Sequence, residues 1–312
     1  MKLIIQIPCY NEAGTLVRTL DDLPKKLPEI DVIEYLIIDD GCTDDTVRVA
    51  QEWGVNHIVR FKRNRGLAQG FMAGLDACLK NRADIIVNTD ADNQYRGSDI
   101  AALIRPILAG EADMTIGERP IDQTEHFSFL KKRLQRLGSF IVRKASKTDV
   151  RDAPCGFRAF SREAAIGVNV INDYTYTLET IVQAGRNKLA IVNVPIGTNP
   201  ELRKSRLMNS TGSYVKKSAL IIIRTWMWYK PLKCFGMISI IPTVIGLVPL
   251  IRFLYFFMIN QGAGHIQSLI LACTLLIIGF VTFVIGLLAD VLASNRKILE
   301  DTQYRVRKQE YE

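Results

Sequence analysis

Ala83-Asp84-Ile85-Ile86-Val87-Asn88-Thr89 runs directly into Asp90-Ala91-Asp92. A short, largely apolar run of this kind reads as a buried strand. Two carboxylates at its end lie at the carboxyl edge of a sheet, where open α/β sheets receive ligands. Side chains at i and i+2 share a face of an extended segment. The pair can therefore grip one hard divalent cation, and such a cation keeps company with phosphates. Taken alone, the triplet reads equally well as a turn, since Asp and Asn are common turn formers.

Outward from this strand an alternation repeats. Residues 3–7 form a strand, and Asn11 caps a helix over about 12–23. Residues 34–39 are a second strand, and Thr43 starts a second helix. Residues 57–61 make a short third strand, 67–79 a helix, 84–89 the fourth strand and 98–108 the next helix. This order predicts a Rossmann-like, mostly parallel sheet with helices on both faces. Strands over 113–117 and 156–160 flank a basic helix over about 129–145, and 189–194 is the last strand. There is no internal repeat and no low-complexity linker. A signal peptide is not expected, because the apolar residues 3–7 are too few and stop at Pro8.

The C-terminal third changes character. Residues 235–259 are apolar except for Arg252, and 267–289 carry no charge. Each run meets the need for about 20 apolar residues per bilayer crossing. The link Asn260-Gln261-Gly262-Ala263-Gly264-His265-Ile266 is short and polar, so the two form a helical hairpin. Lys216, Lys217, Arg224, Lys230 and Lys233 crowd the entry; Arg296, Lys297, Arg305, Arg307 and Lys308 crowd the exit. The positive-inside rule then places the N-terminal domain and both termini in the cytosol, at the cell (inner) membrane. Residues 213–229 mix Lys216, Lys217 and Arg224 with Trp226, Trp228 and Tyr229, which suits a helix lying among headgroups. Arg252 falls in the last third of its segment and is expected to snorkel outward, with contact to a lipid phosphate as the alternative. The expected organisation is a cytosolic domain over 1–210, an interfacial helix over 211–232, a hairpin over 233–293 and a cytosolic tail over 294–312.

Charge narrows the partners. The 312 residues carry a net +8, spread unevenly. Residues 201–234 hold eight Lys/Arg against one acid, and 119–151 hold nine against three. Such patches serve nucleic acid, an anionic membrane or a phosphorylated substrate. No basic stretch is interleaved with stacking aromatics on a strand, which argues against nucleic acid. The six cysteines are scattered with no CxxC pair, as in reduced, cytosolic proteins. Composition leaves a homo-oligomer open.

Four polar loops follow four consecutive strands: Pro8-Cys9-Tyr10-Asn11-Glu12, Asp39-Asp40-Gly41-Cys42-Thr43-Asp44-Asp45-Thr46, Asn64-Arg65-Gly66-Leu67-Ala68-Gln69-Gly70, and Asp90-Ala91-Asp92-Asn93-Gln94. Each alone reads as a turn or a helix cap. Together they gather at one edge and build a nucleotide pocket.

In these residues the chain resembles the family 2 glycosyltransferases of GT-A fold. More narrowly, it is similar to the polyprenyl-phosphate glycosyltransferases, the group of dolichyl-phosphate mannose synthase and its bacterial glucosyl counterparts. The resemblance covers about residues 1–210, and the two-helix anchor matches subgroups of that family. It implies that Pro8, Tyr10 and Glu12 line the nucleotide, Asp39 binds the base, Asp40 frames the ribose side and Arg65 faces the nucleotide. Asp90 and Asp92, across Ala91 and with Gln94, would hold Mg2+ or Mn2+ against the diphosphate. Arg119 and Arg133 are the acceptor-phosphate candidates it favours, ahead of Arg136, while Arg158 and Ser139 are further candidates. Lys204-Ser205-Arg206-Leu207 resembles a loop closing over the donor diphosphate; a basic linker is the plainer alternative. Asp152 invites a general-base label, yet a phosphate acceptor is already ionised, so it also reads as a group that positions Arg158 or the acceptor. The chain departs from the family at Cys42 (usually Ser), Leu67 (often Lys) and Cys155 (usually Ser), and the Leu67 change weakens the case for a phosphate contact from that loop.

The implied reaction is metal-dependent, inverting transfer of a sugar from a nucleotide-diphosphate donor, a UDP-hexose or UDP-N-acetylhexosamine, to a polyprenyl phosphate. The alternatives are a GDP-mannose enzyme, a processive polysaccharide synthase and a membrane-tethered nucleotide-sugar sensor. A QxxRW motif, expected of a processive synthase, is not found.

Overall fold

The computed structural model describes residues 1–120, 139–140, 142–143, 146–170, 176–200, 227, 230–259 and 262–311. The chain divides into two compact units, Met1–Ser218 with Gln303–Glu312, and Ala219–Thr302.

In the first unit the strands are β1 (Lys2–Cys9), β2 (Val32–Asp39), β3 (His57–Arg60), β4 (Ile85–Asn88), β5 (Met114–Glu118), β6 (Arg158–Ser161) and β7 (Ile191–Pro195). They form one seven-stranded sheet in the order β3-β2-β1-β4-β6-β5-β7. All pairings are parallel except those that β6 makes with β4 and β5. Leu3, Ile4, Ile5, Leu36, Ile37, Ile38, Ile85, Ile86 and Val87 are fully buried. Near-continuous apolar strands are what a parallel sheet covered on both faces requires. Each such side chain contributes about 1.5–3 kcal/mol by leaving water.

The helices described in this unit are α1 (Leu16–Asp22), α2 (Thr46–Trp53), α3 (Leu67–Lys80), α4 (Ile100–Leu108), α5 (Arg162–Gly167) and α6 (Thr177–Arg186). Two helix starts differ from the sequence expectation. Asn11 has φ of 56° and does not cap α1. Its Oδ1 instead accepts the Thr43 N–H at 2.8 Å, tying the first loop to the second. The Glu12 N–H is likewise taken by Thr46 Oγ1 at 2.8 Å. Local side-chain bonds thus hold both loops open, and α1 and α2 begin three to four residues late. The expected basic helix lies mostly outside the described residues, as do most of 213–229.

In the second unit α7 (Pro231–Met258) and α8 (Ile266–Tyr311) are joined by a 3-10 turn, Gly262–His265, and both are long and apolar enough to cross a membrane. They pack as a hairpin through small residues: a Cβ added to Gly246 of α7 would come within 2.9 Å of Leu275 Cβ. Most large side chains of the pair, such as Ile241, Val248, Phe257 and Phe280, face outward.

The residues of α8 from Gln303 onward belong with the first unit, where they pack on α3 and α5. Arg307 donates from Nη1 to the Ile166 and Val168 carbonyls at 3.1 and 2.7 Å, closing the end of α5. Its Nη2 pairs with Asp76 of α3, which also accepts from the Tyr311 hydroxyl at 3.2 Å. Arg162 donates to the Tyr311 carbonyl at 2.6 Å.

Candidate active site

Register brings the four loops to one edge. Cys9 of β1 lies level with Asp39 of β2, Arg60 of β3 is also level with Asp39, and Gln6 of β1 is level with Asn88 of β4. Parallel strands end together, so Pro8–Glu12, Asp39–Asp40, Asn64–Gly66 and Asp90–Asp92 share the carboxyl edge.

Asp39 and Asp40 are buried there. Asp39 Oδ1 accepts the Cys42 N–H at 2.7 Å. Its Oδ2 is ion-paired with Arg60 Nε at 3.0 Å but accepts no hydrogen bond, leaving a buried acceptor for an incoming N–H. The Asp40 oxygens accept the N–H groups of Arg65 and Gly66 at 2.6 and 2.9 Å, which shapes the third loop. Burial raises the Asp40 pKa and outweighs those two bonds. Burial also pushes the Cys42 thiol up to about 11, so it sits in the pocket as a neutral group, as a serine would. The Arg65 guanidinium lies 4.9 Å over the Phe61 ring. Tyr10 is exposed, and Glu12 is buried, accepting from the Thr15 hydroxyl at 2.9 Å.

Asp90 and Asp92 are half-buried. The loop that carries them is held from several sides. Thr19 of α1 donates to the Ala91 carbonyl at 2.9 Å. Asp22 accepts the Gly97 N–H at 2.7 Å. The Asn199 N–H reaches the Gln94 carbonyl at 2.9 Å, and the Gln94 N–H reaches Asp92 Oδ1 at 3.2 Å. Among the described residues no cluster of three or more His, Cys, Asp or Glu could enclose a metal ion. Two carboxylates and the Gln94 amide oxygen are a hard donor set that fits Mg2+ or Mn2+ completed by substrate phosphates, the usual arrangement for such ions. Asn93, in the same loop, has a buried Oδ1 without a partner.

Arg119 follows β5 at the same edge. Its Nε and Nη2 donate to Asp152 Oδ2 and Oδ1 at 2.7 and 3.0 Å, a bidentate pair. The Asp152 side chain is fully buried. Asn193 of β7 braces the approach to it, accepting the Arg151 N–H at 3.0 Å and donating to the Asp149 carbonyl at 2.8 Å. Arg158, on β6, is fully buried and donates to the carbonyls of Cys155, Ala153 and Thr177 and to the Thr180 hydroxyl, at 2.5–2.8 Å. It ties the 153–155 loop to α6. Ser139 Oγ accepts the Ala153 N–H at 3.3 Å. Arg133, Arg136 and Arg206 lie outside the described residues.

Polar residues beneath the site were not singled out from the sequence. Gln6 and Asn88 interrupt otherwise apolar strands, are fully buried and bond to each other at 3.0 Å. That interruption was the available signal.

The family model described as glycosyl transferase family 2 matches residues 4–167. A UDP-N-acetylglucosamine–dolichyl-phosphate N-acetylglucosaminyltransferase of Methanococcus voltae is 29% identical, over 62% of this chain and 83% of that protein. A polyprenol monophosphomannose synthase of Mycolicibacterium smegmatis is 25% identical, over 72% of this chain and 86% of that one. Among solved structures, glucosyl-3-phosphoglycerate synthase from Mycobacterium tuberculosis, in complex with Mn2+, UDP and its product, aligns with a TM-score of 0.56 and 20% identity. That alignment covers 72% of this chain and 78% of that one, and it supports the GT-A-like fold.

Proposed function

The chain belongs to glycosyl transferase family 2, and on that premise we propose that it moves a sugar from a UDP-hexose or UDP-N-acetylhexosamine to a polyprenyl phosphate at the cytosolic membrane face. The observation that carries this reading is the gathering of Asp39, Asp40, Asp90 and Asp92 at one carboxyl edge that also receives the Arg119–Asp152 pair. The methanococcal relative supports both donor and acceptor class; the mycobacterial one keeps a mannosyl donor as the second reading. The two long apolar helices support attachment to the bilayer that holds such an acceptor.

In the reaction an oxygen of the lipid phosphate attacks the anomeric carbon. The new carbon–oxygen bond forms as the bond to the diphosphate breaks, with inversion, and the nucleoside diphosphate leaves. Asp39 receives an N–H of the base, and Pro8, Tyr10, Glu12, Asp40 and Arg65 line the rest of the nucleotide. Asp90 and Asp92, with Gln94, would hold Mg2+ or Mn2+. When bound, such an ion neutralises charge developing on the leaving group. Arg119 presents a fixed positive charge to the acceptor phosphate, with Arg133 as its partner, and Arg206 serves the donor diphosphate. A phosphate nucleophile arrives ionised, so no side chain has to take its proton. Asp152 therefore orients Arg119 rather than acting as a base, and Arg158 braces the loop that carries it.

The test is turnover of the purified chain with a panel of nucleotide sugars, Mn2+ and polyprenyl phosphate, read by mass spectrometry of the lipid. A single-sugar lipid and free nucleoside diphosphate are expected, and Asp92→Asn should abolish both. A polymer, no product, or undiminished Asp92→Asn activity would overturn the reading.

A further inference from the structure

The peptide groups of Gly156 are gripped by two buried tyrosines. The Tyr95 hydroxyl accepts the Gly156 N–H at 3.1 Å, and the Tyr176 hydroxyl donates to its carbonyl at 3.2 Å. Asn88, the last residue of β4, donates to the same carbonyl at 3.0 Å and to the Tyr176 oxygen at 2.8 Å. The rings are fixed as well. Tyr176 stacks on Phe71 with centroids 3.9 Å apart, and Tyr95 stacks on Phe157 at 5.0 Å. Burial holds both phenols well above the ordinary tyrosine range, so both stay protonated.

The missing side chain of Gly156 matters to the acidic loop. A Cβ placed there would stand 2.9 Å from the Tyr176 hydroxyl and 3.3 and 3.4 Å from the two oxygens of Asp90. The first spacing is too close for a methyl group, and the other two are tight. The Asp90 carboxylate therefore lies beside a bare stretch of backbone that Tyr95, Tyr176 and Asn88 hold in place.

We propose that Gly156 and Tyr176, supported by Asn88 and Tyr95, are positioning residues for Asp90: they set where its carboxylate stands so that it can share a divalent cation with Asp92 and the donor diphosphate. The proposal rests on the metal-binding reading of Asp90 and Asp92 given above. Loss of an outer partner of a metal ligand typically weakens metal binding by about 10–100-fold.

The test uses the full chain and two probes, Mn2+ and UDP. Calorimetry measures UDP binding with and without Mn2+, Mn2+ spin resonance measures the ion directly, and melting without either reports on folding. Gly156→Ala is expected to weaken Mn2+-supported UDP binding at least about tenfold, and Tyr176→Phe about tenfold, with metal-free UDP binding unchanged. The pair Gly156→Ala with Tyr176→Phe should bind better than Gly156→Ala alone, because removing the hydroxyl makes room for the methyl group. A purely structural role would instead lower the melting temperature and metal-free UDP binding together with the Mn2+-supported binding. If Gly156→Ala does not fold, Tyr176→Phe alone decides. Wild-type Mn2+-supported binding in either single variant, or no recovery in the pair, would overturn the proposal. Asp90→Asn separates the two layers. If it loses Mn2+-supported binding while Gly156→Ala and Tyr176→Phe keep it, only the positioning role falls. If Asp90→Asn itself keeps that binding, the metal reading falls and the positioning role with it.

Discussion

Arg119 and Asp152 form a closed bidentate pair at the carboxyl edge of the sheet. Both Asp152 oxygens are occupied by the guanidinium they face, and its side chain is closed to solvent. Removing the carboxylate charge frees Arg119 to swing, and misplacing such a group by about 1 Å can lower turnover about 100-fold. Asp152→Asn should therefore cut kcat by about that factor while leaving the shape of the pH–rate profile unchanged. Loss of an acidic limb from the profile would instead assign Asp152 a proton-transfer role. At this scale the sequence was a good guide to residues at strand ends and a poor guide to what they touch. Asp90 and Asp92 stand out because charge is rare at the end of an apolar run. Arg158 looks the same in sequence as Arg119, and only packing distinguishes an arginine with four internal acceptors from one at the edge. Asn11 shares its residue type with helix caps, and its bond to Thr43 depends on a neighbour 32 positions away.

Among the elements, the strands were the more legible, because a covered parallel sheet writes itself as unbroken apolar runs. The antiparallel direction of β6 was not legible, since apolar alternation is the same in either direction. Helix starts shifted wherever polar loop residues bonded across to another loop. The opposite edge of the sheet offers a test. Glu34 of β2 reaches Lys2 of β1 and His57 of β3, each at 2.7 Å, and so joins three strands. Burial works against its charge, but the bonds from Lys2 and His57 prevail and lower its pKa. A carboxyl depressed in the folded state adds stability above its unfolded pKa and loses it as pH falls through the folded value. Glu34→Gln should therefore cost about 0.5–1 kcal/mol at pH 7 and almost nothing near pH 3, in denaturant melts at the two pH values. An equal loss at both would assign the effect to packing.

On the scale of the molecule, composition separated an α/β enzyme from an apolar hairpin without difficulty. It gave no sign that the last turns of α8 return to the catalytic unit, because Arg305, Arg307 and Lys308 read as one more basic cluster at a membrane exit. Arg307 is instead nearly buried, closing the end of α5 and pairing with Asp76. Arg307→Ala leaves two carbonyls without this donor and the half-exposed Asp76 without its cation, and should destabilise this unit by about 1–2 kcal/mol. For a domain of this size each kcal/mol lowers Tm by about 2–4 °C. An unchanged Tm would reduce the contact to a passive one. The docking also sets an order of events during biosynthesis. Ribosomes emit chain at about 5–20 residues per second from the N-terminus, so both apolar helices emerge before the residues that latch α3 to α5. The catalytic unit accordingly stays unlatched until both apolar helices have been made, and completion of its fold is timed to follow their synthesis.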